Sequence, residues 1–400
     1  MIPYGRQSID EDDIAAVAEV LRGDFLTGGP AVGRFEAALA ETVTAPHAIA
    51  CANGTAALHL AVLALDLGPG DVVVVPSVTF LATANVVRFV GAEVLFADVD
   101  PDSGLLTAET LRTALARADD PSLVRAAIPV HLNGQACDMG EIASVAAEYG
   151  FALIEDACHA LGGAYAADGK RALVGAAPLS AMACFSFHPV KAIAMGEGGA
   201  VTTRDPELAR RVARLRSHGM TREPGAFSQQ DEARDPEGRT NPWYYEMAEP
   251  GFNYRACDLQ CALGESQLRK LGAFLARRRT LAARYDTLLA SLANVVRPVP
   301  RLSSADDGWH LYPVLIDFPA LGLSRAEVMT RLKDAGIGTQ VHYIPVHRQP
   351  YYRGLYPGLS LPGGDAYYER CLSLPLFPAM NDNDVDTVVN ALAGILTDTA

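Results

Sequence analysis

Lys191 stands alone as a cation in an otherwise apolar run, Ala183–Val201, on a turn between two strand-like segments, Met182–Phe187 and Ala200–Thr203. Desolvating an ammonium is costly and pushes its pKa towards neutrality. A neutral lysine is a nucleophile, and the chemistry that most needs one is Schiff-base formation with pyridoxal phosphate (PLP). A lysine in such a turn can also be a surface residue whose stem alone is buried. Other residues must separate the two readings, and the ends of buried strands are where to look for them, because ligands of open α/β sheets bind there. Gly54 and Thr55, after Cys51-Ala-Asn53, open a helix whose unpaired N–H groups and hydroxyl suit a phosphate, or form a cap with no ligand. Ile154-Glu-Asp156 ends a buried strand in two carboxylates. Strand alternation sends Glu155 and Asp156 to opposite sides, and Asp156 is taken as the one facing a ligand, where a protonated pyridine would be a partner; a turn cap is the other reading. Phe80, after Pro76-Ser-Val-Thr79, offers an aromatic ring at the same edge or a core side chain, and Ser186 lies five residues before Lys191, within reach of a phosphate.

These residues need a sheet to bring them together, and the hydrophobic pattern supplies one. Strands are expected at Ala48–Cys51, Val72–Val75, Val94–Ala97, Arg125–Val130 and Ala152–Glu155, alternating with helices at Ala56–Leu65, Phe80–Val90, Ala108–Ala116 and Met139–Tyr149. Such alternation implies an α/β fold with a mostly parallel sheet sandwiched by helices, and uniformly apolar strands such as Val72–Val75 fit burial on both faces. Upstream, Ser8-Ile-Asp-Glu11 matches a capping box for a first helix, and a glycine-rich loop, Asp24–Pro30, leads to a second at Val32–Val43. Residues 221–242 lack periodicity and read as a mobile surface loop. A long helix through Leu271–Leu292 then leads into a smaller α+β domain with strands at Leu311–Asp317 and Thr339–Tyr343 and helices at Arg325–Asp334 and Asp384–Ile395. The division expected is a large domain over residues 1–265 and a small one over 266–400.

Composition narrows the function classes. Four hundred residues, half of them hydrophobic, can bury a large core. A net charge of −14 argues against a nucleic-acid surface. Arg210, Arg211, Arg214 and Arg216 read as a solvated helix face. No apolar run approaches the roughly 20 residues of a membrane helix, and no signal peptide opens the chain, so a cytoplasmic protein is expected. Seven cysteines without a CxxC pair read as buried thiols rather than a zinc site.

Taken in order, Asn53-Gly-Thr55, Thr79-Phe80, Glu155-Asp-Ala-Cys-His159, Ser186-Phe-His-Pro-Val-Lys191, Gly196-Glu-Gly-Gly199 and Asn253-Tyr-Arg255 resemble the DegT/StrS family of PLP-dependent nucleotide-sugar aminotransferases, over nearly the whole chain. Pro3-Tyr4, Asp24-Phe-Leu-Thr27, Pro242-Trp-Tyr-Tyr245 and Val341-His-Tyr-Ile-Pro-Val-His347 are most similar to members that aminate C4 in pseudaminic acid synthesis. The resemblance implies an aspartate-aminotransferase-like fold (fold type I), with Lys191 holding PLP, Asp156 on the ring nitrogen, Phe80 stacked on the ring and His159 beside it. It implies phosphate binding by Gly54, Thr55 and Ser186, and by Asn253 reaching across a homodimer interface. Tyr4, Asp24, Phe25, Leu26, Thr27, His342, Tyr343, Ile344 and Pro345 would line the sugar side. The implied reaction moves an amino group from L-glutamate to the C4 keto group of a UDP-linked 4-keto-6-deoxy-N-acetylhexosamine. Another keto-sugar (at C3, GDP- or dTDP-linked, or a keto-octulosonate) is an alternative, as is a PLP-binding regulator without catalysis. A sugar dehydratase on this scaffold would carry histidine in place of Lys191, and a nucleotide-dependent oxidoreductase on a Rossmann-like sheet would show a G-x-G-x-x-G after an early strand, which the chain lacks.

Overall fold

The computed structural model describes residues 1–302 and 305–397. Helices α1 (Glu11–Arg22) and α2 (Pro30–Val43) precede an alternating run: β1 (His47–Cys51), α3 (Gly54–Ala64), β2 (Val72–Pro76), α4 (Leu81–Phe89), β3 (Glu93–Ala97), α5 (Ala108–Ala116), β4 (Val124–Ala127), α6 (Met139–Tyr149) and β5 (Ala152–Asp156). A hairpin, β6 (Ala164–Ala167) and β7 (Lys170–Leu173), separates these from β8 (Met182–Ser186), β9 (Gly199–Thr203) and α7 (Pro206–Leu215). The central sheet has seven strands in the order β1-β9-β8-β5-β4-β2-β3. Only β9 runs against its neighbours, so β1, β2, β4, β5 and β8 all end at one edge. Apolar side chains fill both faces, as in Val73 and Val75 on one side and Val74 on the other. Helix α3 is buried nearly all round, which explains why its sequence is apolar without a polar stripe.

A short ladder of β10 (Met220–Thr221) and β11 (Glu246–Met247) encloses a one-turn helix, α8 (Gln230–Ala233), in the segment expected to be a featureless loop. Glu246 organises it by accepting hydrogen bonds from Ser228 N, Gln229 N and the Tyr244 hydroxyl, contacts between residues too irregularly spaced to show as periodicity. Helix α9 (Asp258–Leu289) is continuous through residue 265, where the two-domain division was expected. Its first half carries Cys261, Leu268 and Leu271 into the core of the large sheet, and its second half carries Leu281, Tyr285 and Leu289 into a separate C-terminal core. The C-terminal part contains β12 (Val296–Pro298), β13 (Ala305–Asp306), β14 (Tyr312–Ile316), α10 (Arg325–Asp334), α11 (Pro350–Leu355), α12 (Pro362–Arg370), β15 (Cys371–Leu374) and α13 (Asp382–Thr397). Its sheet is β12-β14-β15, antiparallel throughout, while β13 joins the β6 hairpin.

Several local expectations need correction. The capping box of α1 is formed by Asp10 and Asp13, whose carboxylates bond each other's backbone N–H, and not by Ser8, whose carbonyl instead accepts from Gln267. Residues 339–343 form no strand: one bridge, Gln340 to Ser373, is made before the chain leaves the small sheet for the large domain, where Val346 N bonds Ser77 O at 2.7 Å. The arginines in and just after α7 are not simply solvated: Arg214 pairs with Glu249, and Arg216 with Glu36 at 2.5 Å. Among the described residues no helix is long and apolar enough to cross a membrane, and the seven cysteines are free thiols.

Candidate active site

At the shared strand edge a cavity of about 620 Å³ opens beside Gln340–Ile344. Each wall is set by a turn that the local sequence dictates. Where β1 meets α3, Asn53 caps the helix by accepting from Ala56 N at 2.8 Å, which leaves the N–H groups of Gly54 and Thr55 without an intrahelical partner. This helix end lies against Ser186 so closely that a Cβ on Gly54 would sit 2.7 Å from Ser186 Cβ. On the other side a Cβ on Gly199 would lie 2.3 Å from Asn53 O, so glycine lets β9 back directly onto the same turn. The loop after β8 is closed by Phe187, whose N–H bonds Gly198 O and whose carbonyl accepts from Met195 N. Fully buried Phe187 packs edge-on to Phe35, and the loop holds Lys191 against the cavity.

Burial lowers the Lys191 pKa from its ordinary 10.5, against the opposing pull of Cys158 and Asp156. Among the described residues the amine has no hydrogen bond or ion pair. Asp156, 5% exposed, faces the cavity with its back bonded: Oδ2 accepts from the Thr83 hydroxyl at 2.8 Å and Oδ1 from Cys158 N at 3.2 Å. Thr79 and Thr83 share a further hydroxyl hydrogen bond of 2.8 Å. Glu155 turns the other way, fully buried, and accepts from His131 Nε2 (2.9 Å), the Tyr165 hydroxyl (2.9 Å) and the Ser180 hydroxyl (2.5 Å). The same cavity is lined by five uncharged rings, Tyr4, His159, His310, His342 and Tyr343. Burial keeps the three histidines neutral: it pushes His342 down to about 3, and His159 and His310 well below 6.5.

Of the residues singled out from sequence, Tyr4, Gly54, Thr55, Phe80, Asp156, His159, Ser186, Lys191, His342, Tyr343 and Ile344 line this one cavity. Asp24, Phe25, Leu26, Thr27, Asn253 and Pro345 do not. Asp24 and Phe25 line a separate cleft between α1, α2 and α9, and Asn253 is exposed, bridged to Ser217. The sequence reading missed His310, whose ring centroid lies 4.5 Å from that of His159, and Thr83, which fixes Asp156. Thr83 carried a usable signal, one helical turn after Thr79 at a strand-end junction; His310 follows a segment without periodicity and carried none.

These residues fit PLP on structural grounds. An unpartnered, half-buried amine, a buried carboxylate facing the same space, and a helix N-terminus beside a serine hydroxyl would suit a covalent, a pyridinium and a phosphate anchor respectively.

The comparisons agree with that reading. The sequence profile of the DegT/DnrJ/EryC1/StrS aminotransferase family matches residues 7–393. The chain is 38% identical over 401 residues to the spore coat polysaccharide biosynthesis protein SpsC of Bacillus subtilis (strain 168), covering 99% of this chain and 97% of that one. It superposes on Helicobacter pylori PseC, an aminotransferase involved in the biosynthesis of pseudoaminic acid, with a TM-score of 0.87 at 26% identity, over 99% of both chains. The PLP-form of Spr1654, a putative sugar aminotransferase from Streptococcus pneumoniae, gives 0.86 at 25% identity, over 100% of this chain and 99% of that one. The chain therefore belongs to the DegT/DnrJ/EryC1/StrS family and is a PLP-dependent sugar aminotransferase of fold type I.

Proposed function

We propose that the enzyme transfers the amino group of L-glutamate to the C4 keto group of a UDP-linked 4-keto-6-deoxy-N-acetylhexosamine. The observation that carries this reading is the set of rings that lines the cavity together with Lys191. It offers hydrogen bonds from neutral rings, and Lys191 is the only lysine or arginine among the described residues lining the cavity, as suits an uncharged, hydroxylated acceptor ring. The likeness to PseC, an aminotransferase involved in the biosynthesis of pseudoaminic acid, supports an acceptor of that class.

In this reading Lys191 would hold PLP through its amine, Asp156 would face the ring nitrogen, Phe80 and His159 would flank the ring, and Gly54, Thr55 and Ser186 would take the phosphate. Bound there, PLP supplies an electron sink for the carbanion formed at the donor's Cα. Lys191 Nζ, whose pKa burial lowers, would move the proton from that Cα to the cofactor's C4′, and in the second half of the cycle would carry one from C4′ to the acceptor carbon. Asp156, tied down by Thr83 and Cys158 N, would give the ring nitrogen a fixed carboxylate partner. Tyr4, His342, Tyr343, Ile344 and the neighbouring Pro345 would meet the sugar. Asn253 and the Asp24–Thr27 loop would serve the site of a second copy, in a cytoplasmic homodimer whose active sites are shared. Exposed Phe25, Leu26 and Phe252 beside them support such an interface.

The relative SpsC favours a second reading, another nucleotide-linked keto-sugar used for a surface polysaccharide. One experiment tests both: offer a panel of UDP-, GDP- and dTDP-linked 3- and 4-keto-sugars to enzyme preloaded from glutamate, and read product stereochemistry by NMR. Amination at C4 of the UDP-linked N-acetyl sugar is expected. Discharge by none of the panel would sink both readings.

A further inference from the structure

We propose that Tyr343 donates a hydrogen bond to a neutral oxygen, hydroxyl or carbonyl, of the amino acceptor, and that His159 fixes the direction of that bond. This rests on the keto-sugar reading above. The direction follows from two contacts. The backbone N–H of Asn133 lies 3.3 Å from His159 Nδ1, and a backbone N–H can only donate. Nδ1 must therefore present its lone pair, and the ring's proton must sit on Nε2. Nε2 lies 3.0 Å from the Tyr343 hydroxyl, so the imidazole donates and the phenol oxygen accepts. With that oxygen committed, the phenol's own proton is left to point elsewhere, and among the described residues it has no acceptor. Tyr343 lines the cavity, where that proton can meet a ligand.

The surroundings preserve this arrangement. His159 is 6% exposed, and burial together with nearby Lys191 keeps it neutral, so Nδ1 does not take up the proton that would collide with Asn133 N–H. Burial and nearby Asp156 push the Tyr343 phenol well above its ordinary value, so it remains a donor. A buried hydrogen-bond chain polarises its last member, which strengthens the outward donor. Asn133 is itself fixed: its carbonyl accepts from Leu311 N, and its amide donates to the Tyr367 hydroxyl at 3.1 Å. Tyr343 comes from the segment that crosses from the small domain, whereas His159 and Asn133 belong to the large one. The hydrogen bond therefore also registers one domain on the other.

The test uses the PLP holoenzyme and measures the two half-reactions separately, with Tyr343→Phe, His159→Gln and His159→Leu. Tyr343→Phe should lower kcat/KM of the acceptor half-reaction about ten- to hundredfold more than that of the glutamate half-reaction. His159→Gln, which can still donate an N–H, should restore most of the loss seen with His159→Leu. Equal losses in both half-reactions, or no loss in the acceptor half-reaction, would overturn the proposal. A second readout needs no turnover: 15N-histidine NMR of the cofactor-free protein should show His159 as the Nε2–H tautomer, with a resonance that moves in Tyr343→Phe. An Nδ1–H tautomer would overturn the direction. If the wild-type enzyme accepts the amino group from glutamate and no keto-sugar discharges it, the keto-sugar reading fails, and the NMR result still decides the His159–Tyr343 lock.

Discussion

A single amine decides what this cavity can do, and its protonation can be tested without any substrate. Burial lowers the Lys191 pKa in the folded chain, while the unfolded chain keeps the ordinary 10.5. Between those two values the unfolded state binds the extra proton, so folding stability rises with pH. Replacing Lys191 with methionine removes that dependence. The cofactor-free Lys191→Met chain should melt above wild type at pH 7, by a margin that shrinks as the pH climbs towards 10. A margin independent of pH would mean that the amine is not held dry. Two neighbours show how far single residues can be read from sequence. The opposite facing of Glu155 and Asp156 follows from strand alternation alone. The three donors that satisfy Glu155 come from positions 131, 165 and 180, and no local pattern joins them. His131 Nε2–H points at Glu155, and against the lowering effect of burial Cys137 and Glu155 push the His131 pKa up to about 10. Glu155→Leu would leave that Nε2–H and two hydroxyls buried without an acceptor, at about 1–3 kcal/mol for each unsatisfied group. A loss of several degrees in Tm is expected, and an unchanged Tm would show that the network carries no stability.

The junctions between elements form the proposed cofactor cradle, and there close packing rather than residue chemistry sets the requirement. The approach of α3 to the Ser186 turn exists only because Gly54 has no side chain. Gly54→Ala forces a displacement of the kind that costs about 1–3 kcal/mol in packed interiors. Because the strain falls on the proposed phosphate cradle, PLP should bind about ten- to hundredfold more weakly. Equilibrium fluorescence titration of the cofactor-free protein measures this, and unchanged affinity would remove Gly54 and Ser186 from the cradle. The alternating run from β1 to β5 was legible because each strand and helix buries its own apolar surface and therefore writes its own period. The span 339–343 was misread for the complementary reason. Its apolar and aromatic residues serve the cavity and the opposite domain, so they mimic a strand without pairing as one. The first capping box was displaced from Ser8 to Asp10 because several cap-forming residues crowd Ser8–Asp13, and only tertiary contacts, here Gln267 on the Ser8 carbonyl, decide among them.

At the scale of the whole molecule, the residues left outside the cavity are as informative as those inside. Asp258, 1% exposed, caps α2 by accepting from Gly29 N (2.8 Å) and Ala31 N (2.9 Å), while its own N–H bonds Leu26 O. The Asp24–Thr27 loop is thus pinned to the start of α9, a few residues beyond Asn253, with Phe25 and Leu26 56% and 50% exposed. Rigidly held apolar side chains facing solvent, next to polar residues with no role in their own site, suit a surface completed by a second copy. If Asn253 completes the partner's phosphate site, Lys191→Ala and Asn253→Ala damage different halves of each active site. Mixed in equal amounts at limiting PLP, after unfolding and refolding together, the two variants give one intact site in each heterodimer. Half of the dimers are mixed, and each mixed dimer has one working site of two, so activity should return to about a quarter of wild type, although each variant alone is nearly inactive. Recovery no greater than the sum of the separate variants, with mixed dimers shown by mass, would place Asn253 in its own chain's site and leave the exposed face at α9 without a catalytic purpose.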